Sequence, residues 1–366
     1  MIKNIENIRK KIDIIDNKIL DLIEKRLKKV HKLSILKNKL NIPSYIKERE
    51  KDVIYNKIIE NKRINISNDL IKDILKRIMY ESYSIENKYI KIKKYKLYKI
   101  LFIGKNKNLF KNLFLKSNYK IYELDINFDK KDEKYIKLTN VIFIQVPISE
   151  FKITLNKIVH LIKKKCIIID LSYNKHLSVK IISNYKMPFL SICITKEYDS
   201  NYITKNSIII CYLNDKEKFI WFFNQLKLWG INLIELDYTI YNEYIIKNES
   251  LKYFIFITYI YLIKNKNIDL EKIFKYSSPL NKIFMCFILF FIKNNELYLE
   301  NIINFHNIEK YIKEYIYYMN RLLNDIKNKK YLNIKLCINN ILKIEKSNIL
   351  ILEKYNNLLL RSLNIY

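Results

Sequence analysis

The chain has 366 residues, 49% of them apolar, enough for two or three domains with at least one sizeable core. Its formal net charge of +31 first suggests nucleic acid, yet the lysines spread along the whole chain without a discrete patch. With 2 Gly, 4 Pro and no Ala against a surfeit of Lys, Asn, Ile, Tyr and Phe, the composition points instead to drift in an A+T-rich genome, and no nucleic-acid partner is expected.

Residues 1–86 predict an all-helical region. Ile5, Ile12, Ile19, Leu33 and Leu40 recur every seven residues, and Ile8, Ile15, Leu22 and Leu36 interleave with them. That spacing predicts one long amphipathic helix with a coiled-coil-like stripe, ended by Pro43. A second helix is expected over about 47–62. A third starts near the capping residues Ser67 and Asn68.

Residues 87–99 (NKYIKIKKYKLYK) read as a basic linker. Short β-rich runs follow at 99–103, 120–124, 141–146, 166–170, 188–193, 207–212 and 231–236. Stretches of helical spacing separate several of them, which predicts a doubly wound α/β domain. From about 240 onward the pattern is helical again and very apolar between 251 and 292, as in a helix bundle or subunit interface. The longest apolar runs, 253–263 and 283–292, fall short of the ~20 residues of a membrane span, so buried helices and no membrane partner are expected. The N-terminus lacks an apolar signal core, which predicts a cytoplasmic protein. Five cysteines lie far apart with no C-x-x-C; four sit in apolar runs and read as small core residues. The four histidines are isolated, and no metal site is expected.

Arg26 occupies the heptad position shared by Ile19 and Leu33. Lys37 lies eleven residues on, three turns away and on nearly the same face, so two long cations can lean toward one spot across ~16 Å of helix. Two desolvated cations need an anion. Arg9 also borders the seam, but at 17 residues, about 25 Å, from Arg26 it can share a small ligand only from a second, antiparallel chain.

These positions resemble the all-helical chorismate mutase domain, a dimer whose long first helices cross-contribute to two active sites. The motif positions are Arg9, Arg26, Lys37, Arg49 and Glu50 in KERE, and Ser82 and Glu86 in ESYSIE. The resemblance implies a cofactor-free isomerase that turns chorismate into prephenate within a pocket of fixed cations. It implies that Arg9 of the partner chain, Arg26 and Arg49 hold carboxylates and that Lys37 donates to the ether oxygen. Glu50 would accept from the ring hydroxyl, Ser82 would assist at a carboxylate, and Glu86 would donate to the ether oxygen in its protonated form.

The rest of the chain is similar to the prephenate dehydrogenase half of bifunctional enzymes of tyrosine synthesis. The similarity rests on VPIS (146–149), IDLSYNK with Asp170 and Lys175, WFFNQLKLWG (221–230), SSPL (277–280) and ELY (296–298). The implied order is an all-α mutase domain (1–90), a linker (91–99), a Rossmann-like α/β domain (100–238) and an all-α dimerisation domain (239–366). NAD is the implied cofactor of the second half, with Gly104 and Asp125 as binding positions. Yet the dinucleotide turn keeps a single glycine, Gly104, followed by Lys105, Asn106, Lys107 and Asn108. Cys193-Ile194 stands where the family has His-Pro, Tyr173 (beside Ser172) replaces its serine, and Asn307, beside His306, replaces a carboxylate-binding arginine. The expectation is an active mutase carrying an impaired dehydrogenase domain. The alternatives are a fully bifunctional enzyme that uses NAD, or a second domain kept as a scaffold or tyrosine-binding module.

Overall fold

The computed structural model describes residues 2–40, 42–43, 45–61, 65–88, 98–104, 109–194, 207–293, 299, 308–344, 348–350, 352–353, 355–356 and 359. It divides into two compact units, residues 1–238 and 239–366.

Three helices open the first unit: α1 (Ile2–Leu40), α2 (Lys47–Ile59) and α3 (Asn68–Lys88). α1 stops three residues before Pro43, and the Ile42 amide closes its end on the Lys37 carbonyl at 2.9 Å. Ser67 Oγ accepts the Leu70 amide at 3.1 Å, the N-cap bond its position predicts. α1 and α2 both pack against α3. The stripe on α1 is not covered within one chain: Ile5, Ile8, Ile12, Ile15 and Ile19 are each at least half exposed.

A seven-stranded sheet follows, built from β1 (Lys99–Ile103), β2 (Lys120–Leu124), β3 (Val141–Ile144), β4 (Ile167–Asp170), β5 (Phe189–Ile194), β6 (Ser207–Leu213) and β7 (Asn232–Glu235). Its order is β2-β1-β3-β4-β5-β6-β7. All neighbours run parallel except β5 and β6, which are antiparallel. Strands covered on both faces lose the polar–apolar alternation, and β3 and β4 are buried at every residue. The two-residue period of a strand still sorts side chains to opposite faces. Ile100, Phe102, Phe143 and Ile169 enter one core; Leu101, Ile103, Ile142 and Ile168 enter the other. Helices α4 (Leu109–Lys116), α5 (Glu133–Leu138), α6 (Ile148–Val159), α7 (Lys175–Ile182) and α8 (Lys216–Leu228) connect the strands.

Both glycines of the chain sit at positive φ, Gly104 at 123° and Gly230 at 74°. Gly230 follows α8 and lets the chain reverse, with the Ile231 amide returning to the Leu226 carbonyl at 3.0 Å. Asn118, Asp215, Asn267 and Lys329 take other left-handed positions. The first three are Asn or Asp, whose short side chains best tolerate that conformation after glycine.

A short helix α9 (Tyr238–Ile240) runs through a π-helical turn (Tyr241–Ile246) into α10 (Lys247–Asn265). The second unit continues with α11 (Leu270–Tyr276), α12 (Pro279–Lys293) and helices Ile308–Lys327 and Tyr331–Ile344. Its small core joins Tyr253 and Phe256 to Met285, Ile288 and Phe291. The expectation of buried apolar helices holds for one face only, since Leu280, Phe287, Leu289 and Ile292 are exposed in the single chain. The cysteine reading needs the same correction. Cys166 and Cys211 are buried and Cys193 is half-buried, but Cys286 is exposed, because on α12 it falls off the face that carries Met285 and Ile288. No described helix is long and apolar enough to cross a membrane. Of the basic linker, residues 89–97 lie outside the described residues, and Lys99 already belongs to β1.

Candidate active site

The two cations of α1 meet two polar side chains of α3. Arg26 Nη1 donates to Ser82 Oγ at 2.5 Å. Lys37 Nζ donates to both carboxylate oxygens of Glu86, at 3.2 Å to Oε1 and 2.9 Å to Oε2. Ser82 and Glu86 stand four residues apart and so share one face of α3. Each is 4% exposed, and the Lys37 side chain is 19% exposed. The Ser82 hydroxyl gives its hydrogen to the Ile78 carbonyl at 2.7 Å, so a lone pair faces Arg26. Burial pushes the Glu86 carboxyl above its ordinary range, against the bond from Lys37 and the charges of Lys37 and Arg26.

α2 supplies the next residue. Half-buried Glu50, in its first turn, accepts a 3.0 Å hydrogen bond from the Tyr83 hydroxyl. Tyr83 follows Ser82 on α3, and its ring meets that of Tyr45 edge-on, at 5.4 Å between centroids and 87° between planes. Its phenol is held above the ordinary range by burial and by the neighbouring Glu50 charge; Glu86 adds to the effect. Neither tyrosine stands out in a sequence with 30 of them. The signal for Tyr83 is its place between two site residues.

Arg49 is exposed beside Glu50. Arg9 is also exposed, on the same helix as Arg26 but about 25 Å away along it. One chain therefore gathers Arg26, Lys37, Ser82 and Glu86, reaches Glu50 through Tyr83, and does not bring Arg9 to them.

In the α/β domain, the residues at the carboxyl end of β4 form a buried polar knot. Asp170, Lys175, Ser178 and Ser191 are all 0% exposed. Asp170 Oδ2 accepts from Ser178 Oγ and Ser191 Oγ at 2.7 Å each and from Lys175 Nζ at 3.3 Å; Oδ1 accepts the Ser172 amide at 2.7 Å. Tyr173 and Cys193 are half-buried. The buried thiol of Cys211, on β6, is pushed up to about 12, chiefly by desolvation, which makes it a poor nucleophile at neutral pH.

Around the expected dinucleotide turn, Gly104 answers to sheet packing. A Cβ built there would lie 1.9 Å from the Gln145 carbonyl oxygen, and its amide is spent on the Leu124 carbonyl at 3.0 Å. Asp125, just past β2, accepts the Ile126 amide at 2.7 Å through Oδ1. Lys105–Asn108, ELY (296–298), His306 and Asn307 lie outside the described residues.

The family model for chorismate mutase type II matches residues 8–87. A chorismate mutase of Methanocaldococcus jannaschii is 36% identical over 91 residues, which span 25% of this chain and 91% of that protein. The chain belongs to the chorismate mutase family. The mutase match begins before Arg9 and ends after Glu86, so all seven expected positions fall inside it. A T-protein of Enterobacter agglomerans is 25% identical over 321 residues, 86% of each chain, which extends the likeness through the second half. A prephenate dehydrogenase from A. aeolicus, solved with hydroxyphenyl propionate and NAD+, superposes with a TM-score of 0.55 at 14% identity. It covers 70% of this chain and 100% of its own, and it shows a shared fold. Together these give a chorismate mutase-family domain followed by a region that shares its fold with a prephenate dehydrogenase. The mutase helices are followed by a parallel-dominated Rossmann-like sheet and a helical C-terminal region, the fold class expected from sequence.

Proposed function

We propose that the first three helices catalyse the rearrangement of chorismate to prephenate at a site completed by Arg9 of a second copy of the chain. The observation that carries this reading is the convergence of Arg26, Lys37, Ser82 and Glu86 in one partly desolvated cluster. The rearrangement is intramolecular and needs no nucleophile, metal or cofactor. What it needs is a pocket that holds a dianion in a compact chair and stabilises negative charge growing on the ether oxygen. Arg26, steadied by Ser82, and Arg49 hold carboxylates in this scheme. Lys37 donates to the ether oxygen, and Glu50 accepts from the ring hydroxyl.

Two facts support the second copy. Arg9 is out of reach within one chain, and the apolar stripe beside it is at least half exposed from Ile5 to Ile19. An antiparallel second α1 covers that stripe and delivers Arg9. The test mixes an Arg9→Ala chain with an Arg26→Ala chain, each inactive alone. A shared site leaves the mixed dimer with one intact centre, so chorismate consumption partly returns. With exchange confirmed, no recovery would mean the sites are not shared.

Glu86 gives the site a pH dependence. Its donating form is the acid, and burial raises its pKa. As pH climbs through that raised value, the proton is lost and a second negative charge faces the developing oxyanion. The rate constant kcat/KM is expected to fall on the alkaline side, and Glu86→Gln, which always donates, to give a flatter profile. A wild-type profile already flat from pH 5 to 9 would remove this role.

For the second half we propose a scaffold with impaired dehydrogenase activity. Two observations support this reading: the Gly104 amide is already bonded to the Leu124 carbonyl within the sheet, and Asp125 Oδ1 accepts the Ile126 amide. NAD would supply a hydride acceptor if bound. A bifunctional enzyme that oxidises prephenate with NAD is the second reading, supported by the likeness to the T-protein over 86% of each chain. NADH production from prephenate and NAD, on a sample shown to consume chorismate, decides between the two.

A further inference from the structure

Tyr83 is not among the residues that the chemistry or the motif points to. It nevertheless lies between two of them on α3, with Ser82 before it and Glu86 three residues after. Its hydroxyl reaches across to α2 and donates to Glu50 Oε2 at 3.0 Å. Its ring is set edge-on against Tyr45, in the connection between α1 and α2, at 5.4 Å. So the side chain of Glu50, on α2, is bonded to a phenol that sits on α3 between Ser82 and Glu86.

We propose that Tyr83 is a positioning residue of the mutase site, whose hydroxyl fixes the Glu50 carboxylate where it receives the ring hydroxyl of chorismate. The inference rests on the mutase reading given above. Its physical basis is conformational. A glutamate in the first turn of a helix has three rotatable bonds and loses that freedom when a ligand engages it. A bond already made to Tyr83 removes part of the loss before substrate arrives. A carboxylate accepts about four hydrogen bonds, so one from Tyr83 does not exhaust it. The edge-on contact with Tyr45 holds the phenol ring itself. Burial and the Glu50 charge keep the phenol protonated, so it remains a donor across the neutral range.

Tyr83→Phe removes the hydroxyl and leaves the ring against Tyr45. The expected result is a roughly three- to tenfold rise in KM for chorismate with kcat within about twofold of wild type, because the bond organises Glu50 equally for bound substrate and transition state. The second arm repeats the change in a Glu50→Ala background, which leaves the phenol no side-chain acceptor at that position. If Tyr83 acts through Glu50, the added loss in kcat/KM there is under about twofold. Both comparisons are made at a temperature where melting curves show every variant folded, so a lowered Tm does not cloud them. A wild-type chain that leaves chorismate intact overturns the mutase reading and this inference with it. An active wild type with unchanged Tyr83→Phe kinetics overturns this inference alone. So does a loss of kcat with KM preserved, or an equal loss in the Glu50→Ala background.

Discussion

Lys37→Ala is expected to lower kcat/KM for chorismate by about 10²–10³-fold, the loss typical of one preorganised group facing a developing oxyanion. The ammonium is 2.9 Å from Glu86 Oε2, with its stem largely out of water. Its charge therefore acts in a medium far less screening than bulk solvent. Truncation also strands Glu86, which is 4% exposed. A buried carboxyl without its partner takes up a proton more readily than it stays charged. The fold is thus spared most of the penalty that the reaction suffers. The measurement is steady-state kinetics beside helix content by circular dichroism. A variant that keeps its helices and stays within about threefold of wild type would take Lys37 out of the transition state. Arg26→Ala should behave alike, since Ser82 orients that guanidinium at 2.5 Å.

The second large effect is on stability. Lys175→Met is expected to destabilise the α/β domain by about 3–5 kcal/mol, because it removes one partner of a fully buried ion pair and leaves Asp170 sealed without its counter-ion. Three hydrogen bonds, from the Ser172 amide and the Ser178 and Ser191 hydroxyls, fix that side chain in place beside the lost ammonium. The drop in Tm should be roughly 10 °C or more for a domain of this size. Adding Asp170→Asn removes the orphaned charge and should recover part of the loss, a coupling that distant sites would not show. If Lys175→Met melted within about two degrees of wild type, the pair would be contributing no net stability.

This knot bears on how the second half is read. Asp170 and Lys175 match the dehydrogenase motif, but a fully buried ion pair with satisfied hydrogen bonds is reason enough for both. Gly104 is alike: the Gln145 carbonyl leaves no room for a Cβ, whatever does or does not bind outside. These matching features have structural causes. Cys193 and Tyr173, where the resemblance implies a histidine and a serine, are both half-buried.

Element types were legible in the sequence because period and turn residues act locally. The seven β-rich runs became the seven strands within a few residues, since short apolar runs between helical spacings can be buried only in a covered sheet. Arg26 and Lys37 could be placed on one face of α1 by counting alone. Other facts needed distant segments to meet. Nothing local shows that the Ser82 hydroxyl is committed to Ile78 and so accepts from Arg26, or that Tyr83 reaches Glu50 across 33 residues. The antiparallel β5–β6 pair depends on where β6 returns, which its own residues do not encode. The three opening helices, the strands and the cationic face of α1 are legible in the chain, because each depends on neighbours a few residues apart. Only the tertiary structure decided which partners those charges have and which apolar surfaces one chain leaves uncovered, because desolvation and pairing are properties of segments brought together from far along the chain.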